Sequence, residues 1–342
     1  MNFANVKDTT IPEGKVQEIS IDSRVIWQAI ERMKWTQSNI TDVSFACFAF
    51  HNDLWIAGTL TNGLYYSTDG QTWTQSNITD ETVQCVAYAN GLWVASGFYN
   101  GLYYSTDGQT WTQSNITSIG FECVAYANGL WVAGTSSNKN GLYYSTDGQT
   151  WTQSNINNSG FECVTYANGV WVAGSETYSK CGLYYSTDGK TWDPSNITSG
   201  RFACIVYSND LFVAGGKNGL YYSTDGRTWT QSNITDVTVY CVAYANGLWV
   251  AGSYQKGLYY STDGQTWTQS NITSESVECV AYANGLWVSG RYNNGLYYSA
   301  NGQTWTQSNI KSGSFTCVSN ANGLWVAGGY GLYYSDWTPP TE

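Results

Sequence analysis

Charge is what this chain has least of. Only 11% of its 342 residues are charged, and Lys plus Arg total 14 against 25 acidic residues. Phosphate backbones are gripped by basic stripes, so nucleic acid is excluded as an expected partner. Histidine is nearly absent too, with His51 as the single copy. Metal centres usually draw on His or carboxylate clusters, so no metal, and no other cofactor, is expected. No apolar run approaches the roughly 18 residues that cross a bilayer as a helix. A basic segment followed by an apolar one is missing at the N-terminus, so the expectation is a protein made in the cytoplasm without a signal peptide.

What is there in abundance is repetition. Gly-Leu-Tyr-Tyr-Ser begins at Gly63, Gly101, Gly141, Gly182, Gly219, Gly257, Gly295 and Gly331, in steps of 36 to 41 residues. Such a period is that of a β-propeller blade. Between the copies recurs a second block, Cys85-Val-Ala-Tyr-Ala-Asn-Gly-Leu-Trp-Val-Ala95. Each repeat therefore offers four short runs rich in aromatic and β-branched residues. For the second repeat they are strand a (83–89), strand b (92–96), strand c (102–105) and strand d (110–114). Asn90-Gly91 and Asp69-Gly70 read as two-residue hairpin turns, which need positive φ angles. On that reading Tyr88 faces Trp93 and Tyr66 faces Trp73, cross-strand pairs contributing about 0.2–1 kcal/mol each. The fold class expected is all-β, an eight-bladed propeller of four-stranded antiparallel blades.

The two ends of the chain predict how the ring closes. Trp35-Thr-Gln-Ser-Asn39 is a d strand with no a, b or c before it, and the last repeat runs a, b, c and stops at Ser335. The early d strand is expected to complete the eighth blade, leaving no free sheet edge. Asp336-Trp337-Thr338-Pro339-Pro340 is a poor substitute, because proline donates nothing to a ladder. Residues 35–342 are thus read as the propeller. Residues 1–34 are read as an attachment segment with a hairpin of 16–21 and 24–28 joined at Asp22-Ser23, too small to bury a core of its own.

Eight of the nine cysteines share one position in strand a, namely Cys47, Cys85, Cys123, Cys163, Cys204, Cys241, Cys279 and Cys317. A position repeated around a ring selects no disulfide partner, so these read as small buried thiols. Cys181, alone in a loop, is expected to be exposed. Six Asn-Ile-Thr sequons, Asn77 and Asn115 among them, read as turn residues after strand d rather than as glycosylation sites.

Internal copies also show what the scaffold leaves free. The a–b and c–d turns are nearly uniform, whereas the b–c loops and d–a connections differ in length and content. In an antiparallel blade those two loop types emerge at the same end, so one end is uniform and the other diversified. Binding residues tend to sit on loops held by a rigid scaffold, and tyrosine with short polar side chains makes an adaptable contact surface. The candidate ligand-binding residues are Tyr99, Tyr178, Lys217, Tyr254, Lys256, Arg291, Tyr292 and Tyr330; no catalytic residue is assigned. The competing reading is drift of unconstrained loops after duplication.

Two resemblances bear on identity. Ser67-Thr-Asp-Gly-Gln-Thr-Trp73 resembles a shortened Asp-box of sialidase-like propellers, where that turn is structural; it recurs in seven turns. A sialidase also needs an arginine cluster, and the propeller offers only Arg201, Arg227 and Arg291, with Arg227 in a c–d turn at the opposite end. Glycosidase activity is therefore disfavoured. The repeats Tyr-Ala-Asn-Gly-Leu-Trp-Val-Ala-Gly and Gly-Leu-Tyr-Tyr-Ser-Thr-Asp-Gly, with the stretch 11–27, resemble virion surface proteins of bacteriophages that infect gut bacteria. That resemblance implies a tail-fibre or capsid-fibre adhesin on the virion surface. It would be attached to other virion proteins through residues 1–34 and would bind host-surface polysaccharide or another receptor without catalysis. The alternative is a structural decoration or assembly protein of the particle with no ligand, and a glycosidase comes third.

Overall fold

The structure is a computed structural model that describes residues 33–136, 140–175 and 182–336. The proposed attachment hairpin lies outside the described residues. So do Tyr178, Cys181 and the two C-terminal prolines.

Eight four-stranded antiparallel sheets stand in a ring. In the first blade strand a is Phe45–His51, b is Leu54–Thr59, c is Leu64–Ser67 and d is Thr74–Gln75. Each a strand packs against the a strands of both neighbouring blades, so the a strands form the inner ring and the d strands lie outside. Blades are numbered below from this one, with the eighth built from Phe315–Ala321, Leu324–Gly329, Gly331–Ser335 and, from the start of the chain, Thr36–Gln37. Thr36 pairs with Tyr334 and Gln37 with Tyr333, which closes the ring between the two ends of the chain. Met33, just ahead of that strand, is buried in the core of blades seven and eight and belongs with the propeller.

The a–b turns form as their sequence dictates. Asn90 and Gly91 take φ of 51° and 81°, and Tyr88 sits opposite Trp93 with ring centroids 4.8 Å apart. The c–d turn corrects the expected two-residue loop: Tyr66 pairs with Thr74 rather than Trp73, and strand d shrinks to two residues. Only Gly70 of that turn has positive φ, at 68°. The reason is a side-chain scaffold that needs more room. Ser67 Oγ donates to Asp69 Oδ1 at 2.9 Å and accepts the Gly70 N–H at 2.8 Å. Asp69 Oδ1 then accepts the N–H groups of Gln71 and Thr72 at 2.8 and 2.7 Å, and Trp73 Nε1 donates to Gly70 O. Partial burial works to raise the Asp69 pKa, but these donors outweigh it and hold the carboxyl below its ordinary value. In blade seven Asn301 fills the same role, accepting from Gln303 and Thr304.

The hydrophobic core lies between blades. One cluster joins Leu92, Val94 and Leu102 of blade two to Phe121, Val124, Trp131 and Trp151 of blade three. Close approach depends on a pair of small residues, Cys in strand a opposite Gly in strand b, as in Cys163 and Gly174. A Cβ at Gly174 would lie 2.7 Å from Cys163 Sγ and 2.7 Å from Cβ of Phe202 in the next blade. Cys47, Cys85, Cys123, Cys163 and Cys279 point their thiols at main-chain carbonyls of the next blade, Cys163 Sγ lying 3.4 Å from Phe202 O, whereas Cys204 and Cys317 meet Gly215 O and Gly328 O of their own blade. Burial raises their pKa values, that of Cys204 to about 12. Blade two carries Ser96 instead of glycine, and there the Cys85 N–H bonds to Ser96 Oγ at 2.9 Å while the pair drops out of the ladder.

A second inter-blade device was invisible in the sequence. The Asn that ends each Trp-Thr-Gln-Ser-Asn segment reaches the following blade and clamps the backbone of its Trp at both ends. Asn77 accepts the Trp111 N–H at 2.8 Å and donates to Trp111 O at 2.9 Å. The same pair of bonds recurs from Asn39 to Trp73 and onward, ending with Asn309 on Trp35, which ties blade seven to the closing strand. The sequon asparagines are therefore not simple turn residues: each spends its whole amide on a neighbouring blade.

Candidate binding face

The end of the ring that carries the b–c loops and d–a connections is built the same way in six of the blades. The residue immediately after strand b donates its N–H to a carbonyl just before strand a: Leu60 to Ser44, Phe98 to Thr82, Ser136 to Gly120, Lys217 to Arg201, Tyr254 to Thr238 and Tyr292 to Ser276, at 2.8 to 3.1 Å. Tyr330 follows Gly329, the last residue of its b strand, and so occupies the equivalent place in blade eight. Because the backbone there is already bonded, the side chain is free to vary.

Among the described residues the exposed large hydrophobic side chains are Tyr99, Tyr254, Tyr292 and Tyr330, from 46% to 66% exposed. All four were singled out from sequence. Tyr254 packs edge-on to Tyr240 at 6.0 Å between centroids and accepts from Gln255 Nε2 at 3.1 Å. Tyr99 packs on Phe98 at 5.0 Å. Lys217 and Lys256 are exposed on the same face. Tyr178 lies outside the described residues.

Arg291 needs correcting. The sequence reading put it in an open loop, but it ends strand b of blade seven and is 2% exposed. Its guanidinium is ion-paired to Glu275 and lies over the Tyr297 ring at 4.3 Å. It supports the Tyr292 loop from beneath and presents nothing to a ligand. In blade two the corresponding residue is Gly97, and the space beside it is taken by Glu81, a carboxylate 2% exposed. Glu81 accepts from the Tyr99 N–H at 3.0 Å and Asn100 Nδ2 at 2.6 Å, pinning that loop. The Tyr103 hydroxyl is also near, and burial together with the Glu81 charge pushes its pKa to about 12.

One set of residues escaped the sequence reading. The residue before each strand-a cysteine sits where the a–b ladder shifts register, and it is half-buried with a fully buried residue before it. Since strand a is innermost, that position borders the central channel. Its occupants are Ala46, Gln84, Glu122, Glu162, Ala203, Tyr240, Glu278 and Thr316. Glu162 is ion-paired to Arg201 of the next blade, and burial outweighs that partner to raise its pKa. Burial raises the pKa of Glu278 and of Tyr240, the latter helped by the Glu278 charge. The signal was available: it is the one strongly variable position within an otherwise uniform strand. No group of three or more His, Cys, Asp or Glu arranged to hold a metal ion occurs among the described residues.

No known family profile matches the sequence, and no curated protein resembles it closely enough to match. Solved structures do match. The computationally designed protein Ika8 is 10% identical with a TM-score of 0.69, covering 87% of this chain and 98% of its own. BamB from Moraxella catarrhalis is 9% identical, TM-score 0.65, over 88% and 99% of the two chains. YCF48 from Cyanidioschyzon merolae is 13% identical, TM-score 0.58, over 90% and 99%. A YCF48 structure bound to D1 peptide matches with a TM-score of 0.54 at 15% identity. Likeness at such low identity is one of fold, and the chain is an eight-bladed β-propeller.

Proposed function

We propose that this propeller is a non-enzymatic binding module. In this reading its diversified face takes a glycan on the surface of a bacterial host, and it is carried on a phage particle by its first 34 residues. The observation that carries the reading is the sorting of exposed aromatic surface. Every strongly exposed large hydrophobic side chain among the described residues lies on the diversified face, and the uniform turns have none. Burying such rings is favourable and leaving them in water is not, so their concentration at one end marks a contact surface. That a structurally similar protein, YCF48, is known in complex with a peptide supports binding as a use of such a fold. The phage setting and the glycan rest on the resemblance of the repeats.

The arginines support a binder over a glycosidase. Arg201 is ion-paired to Glu162, Arg291 is buried against Glu275, and Arg227 stacks over Tyr185 at the other end. They do not converge on one carboxylate site.

The test is a glycan array and a cell-binding assay with purified protein. Replacing Tyr254 and Tyr292 together by Ala is expected to lower binding at least about tenfold through lost avidity, with melting unchanged. Gln265→Ala in a c–d turn is expected to change neither. If the double variant binds host material as wild type does, the adhesin reading fails and a decoration protein takes its place.

A further inference from the structure

Six of the residues immediately after strand b are equivalent by their backbone bonding and Tyr330 by its place after strand b, so their side chains can be read around the ring in order. Blades six, seven, eight, one and two carry Tyr254, Tyr292, Tyr330, Leu60 and Phe98, whereas blades three and five carry Ser136 and Lys217. The apolar members are not scattered. They occupy five successive blades, and the closing blade lies inside the run.

We infer that these five positions form one curved track for a single neutral, linear polysaccharide chain, not a set of independent shallow sites. The inference rests on the glycan reading above and gives it a place and a direction. Three observations argue for this occupant. Tyr254, Tyr292 and Tyr330 stand on three separate blades, Leu60 adds an aliphatic step and Phe98 packs with Tyr99 on blade two, while Gln255 and Asn293 lie beside the first two rings, so apolar platforms alternate with hydrogen-bonding groups. A protein partner calls for a contiguous apolar centre, which separate rings do not provide. The apolar C–H face of a sugar stacks on a tyrosine while its hydroxyls bond to the amides beside it, and a polymer that repeats meets platforms that repeat. Charge completes the argument. Exposed Lys256 and Lys311 nearly cancel exposed Asp42, Asp80 and Asp236 along this arc, which suits neither a polyanion nor a polycation.

The experiment is calorimetric titration of the whole protein with neutral glucans, mannans, rhamnans and chitin fragments, each in graded lengths from disaccharide to chains longer than the arc. A single track predicts one chain per protein and affinity that climbs with length before levelling. Tyr292→Ala and Tyr330→Ala, both inside the run, should each weaken a long chain by roughly fivefold, and Ser136→Ala, at the equivalent position outside the run, should not. Periodate treatment of a bound sugar whose units carry vicinal diols should abolish binding. Several short fragments bound independently per protein, or equal loss from Ser136→Ala, would overturn the track while leaving glycan binding intact. Failure of wild type to bind any member of the panel, or binding to a diol-bearing sugar that survives periodate, would sink the track and the glycan reading together.

Discussion

Removing one inter-blade clamp tests the account of how this ring holds together. Asn233 accepts the Trp267 N–H at 2.7 Å and donates to Trp267 O at 2.9 Å, joining blade five to blade six. Asn233→Ala deletes both bonds and leaves a backbone donor and acceptor without partners. Each such bond contributes about 0.5–1.5 kcal/mol, and an orphaned buried group costs about 1–3 kcal/mol. Because the site is only partly buried, water recovers some of this, and a net loss of about 2–3 kcal/mol is expected. Unfolding entropy of ~2.1 cal/mol/K per residue gives ~0.7 kcal/mol/K for a chain of this length, so the melting temperature should fall by about 3–4 °C. Scanning calorimetry and near-UV circular dichroism would measure it. Asn233→Asp adds a sign test. Its carboxyl, when protonated, can still donate to Trp267 O; when ionised, it presents a negative oxygen to that carbonyl. The folded-state pKa of the introduced group is therefore raised. The deficit relative to wild type should be small below about pH 4 and grow as the pH rises through the carboxyl range. A melting temperature unchanged by Asn233→Ala would refute the clamp as a stabilising element.

Two further outcomes follow from titrating groups. The turn carboxyls of Asp69, Asp107, Asp147, Asp188, Asp225 and Asp263 are all held below the ordinary value. For a depressed pKa the stabilisation is complete above the unfolded value, about pH 4, and is lost as the pH falls through the folded value, so melting temperature should drop steeply in acid. Asp147→Asn, which copies Asn301 of blade seven, should be well tolerated and make that acid slope shallower; an unchanged slope counts against the turns as its source. The strand-a thiols, raised in pKa by burial, should resist a thiol-labelling reagent in the native state and react only on unfolding. Rapid native labelling of several of them would show that the inter-blade seams open.

Much of the candidate face was legible because duplication supplies an internal comparison. Positions identical in all repeats serve the scaffold, and those that differ at the diversified end included Tyr99, Tyr254, Tyr292 and Tyr330, the very side chains left in water. Arg291 was misread because its burial depends on Glu275 and Tyr297 converging from other parts of the chain. The channel-bordering set from Ala46 to Thr316 went unnoticed because a strand of uniform pattern conceals which residue sits at the register shift.

By itself the sequence determined the repeat, the strand order, the Asn-Gly hairpins and the spare d strand that blade eight lacks, because these depend on spacing and on local φ preferences. Tertiary structure alone decided which groups meet across a seam. Asn77 and Trp111 are 34 residues apart and Asn309 and Trp35 are 274 apart, yet both pairs form the same two bonds. Likewise Tyr254 and Phe98 lie far apart along the chain but stand on one arc, because closing the ring through Thr36–Gln37 brings blades eight and one together. The closing contacts, Asn309 on Trp35 and Thr36 opposite Tyr334, are set by closure of the whole ring, and no window of sequence shorter than the ring contains them.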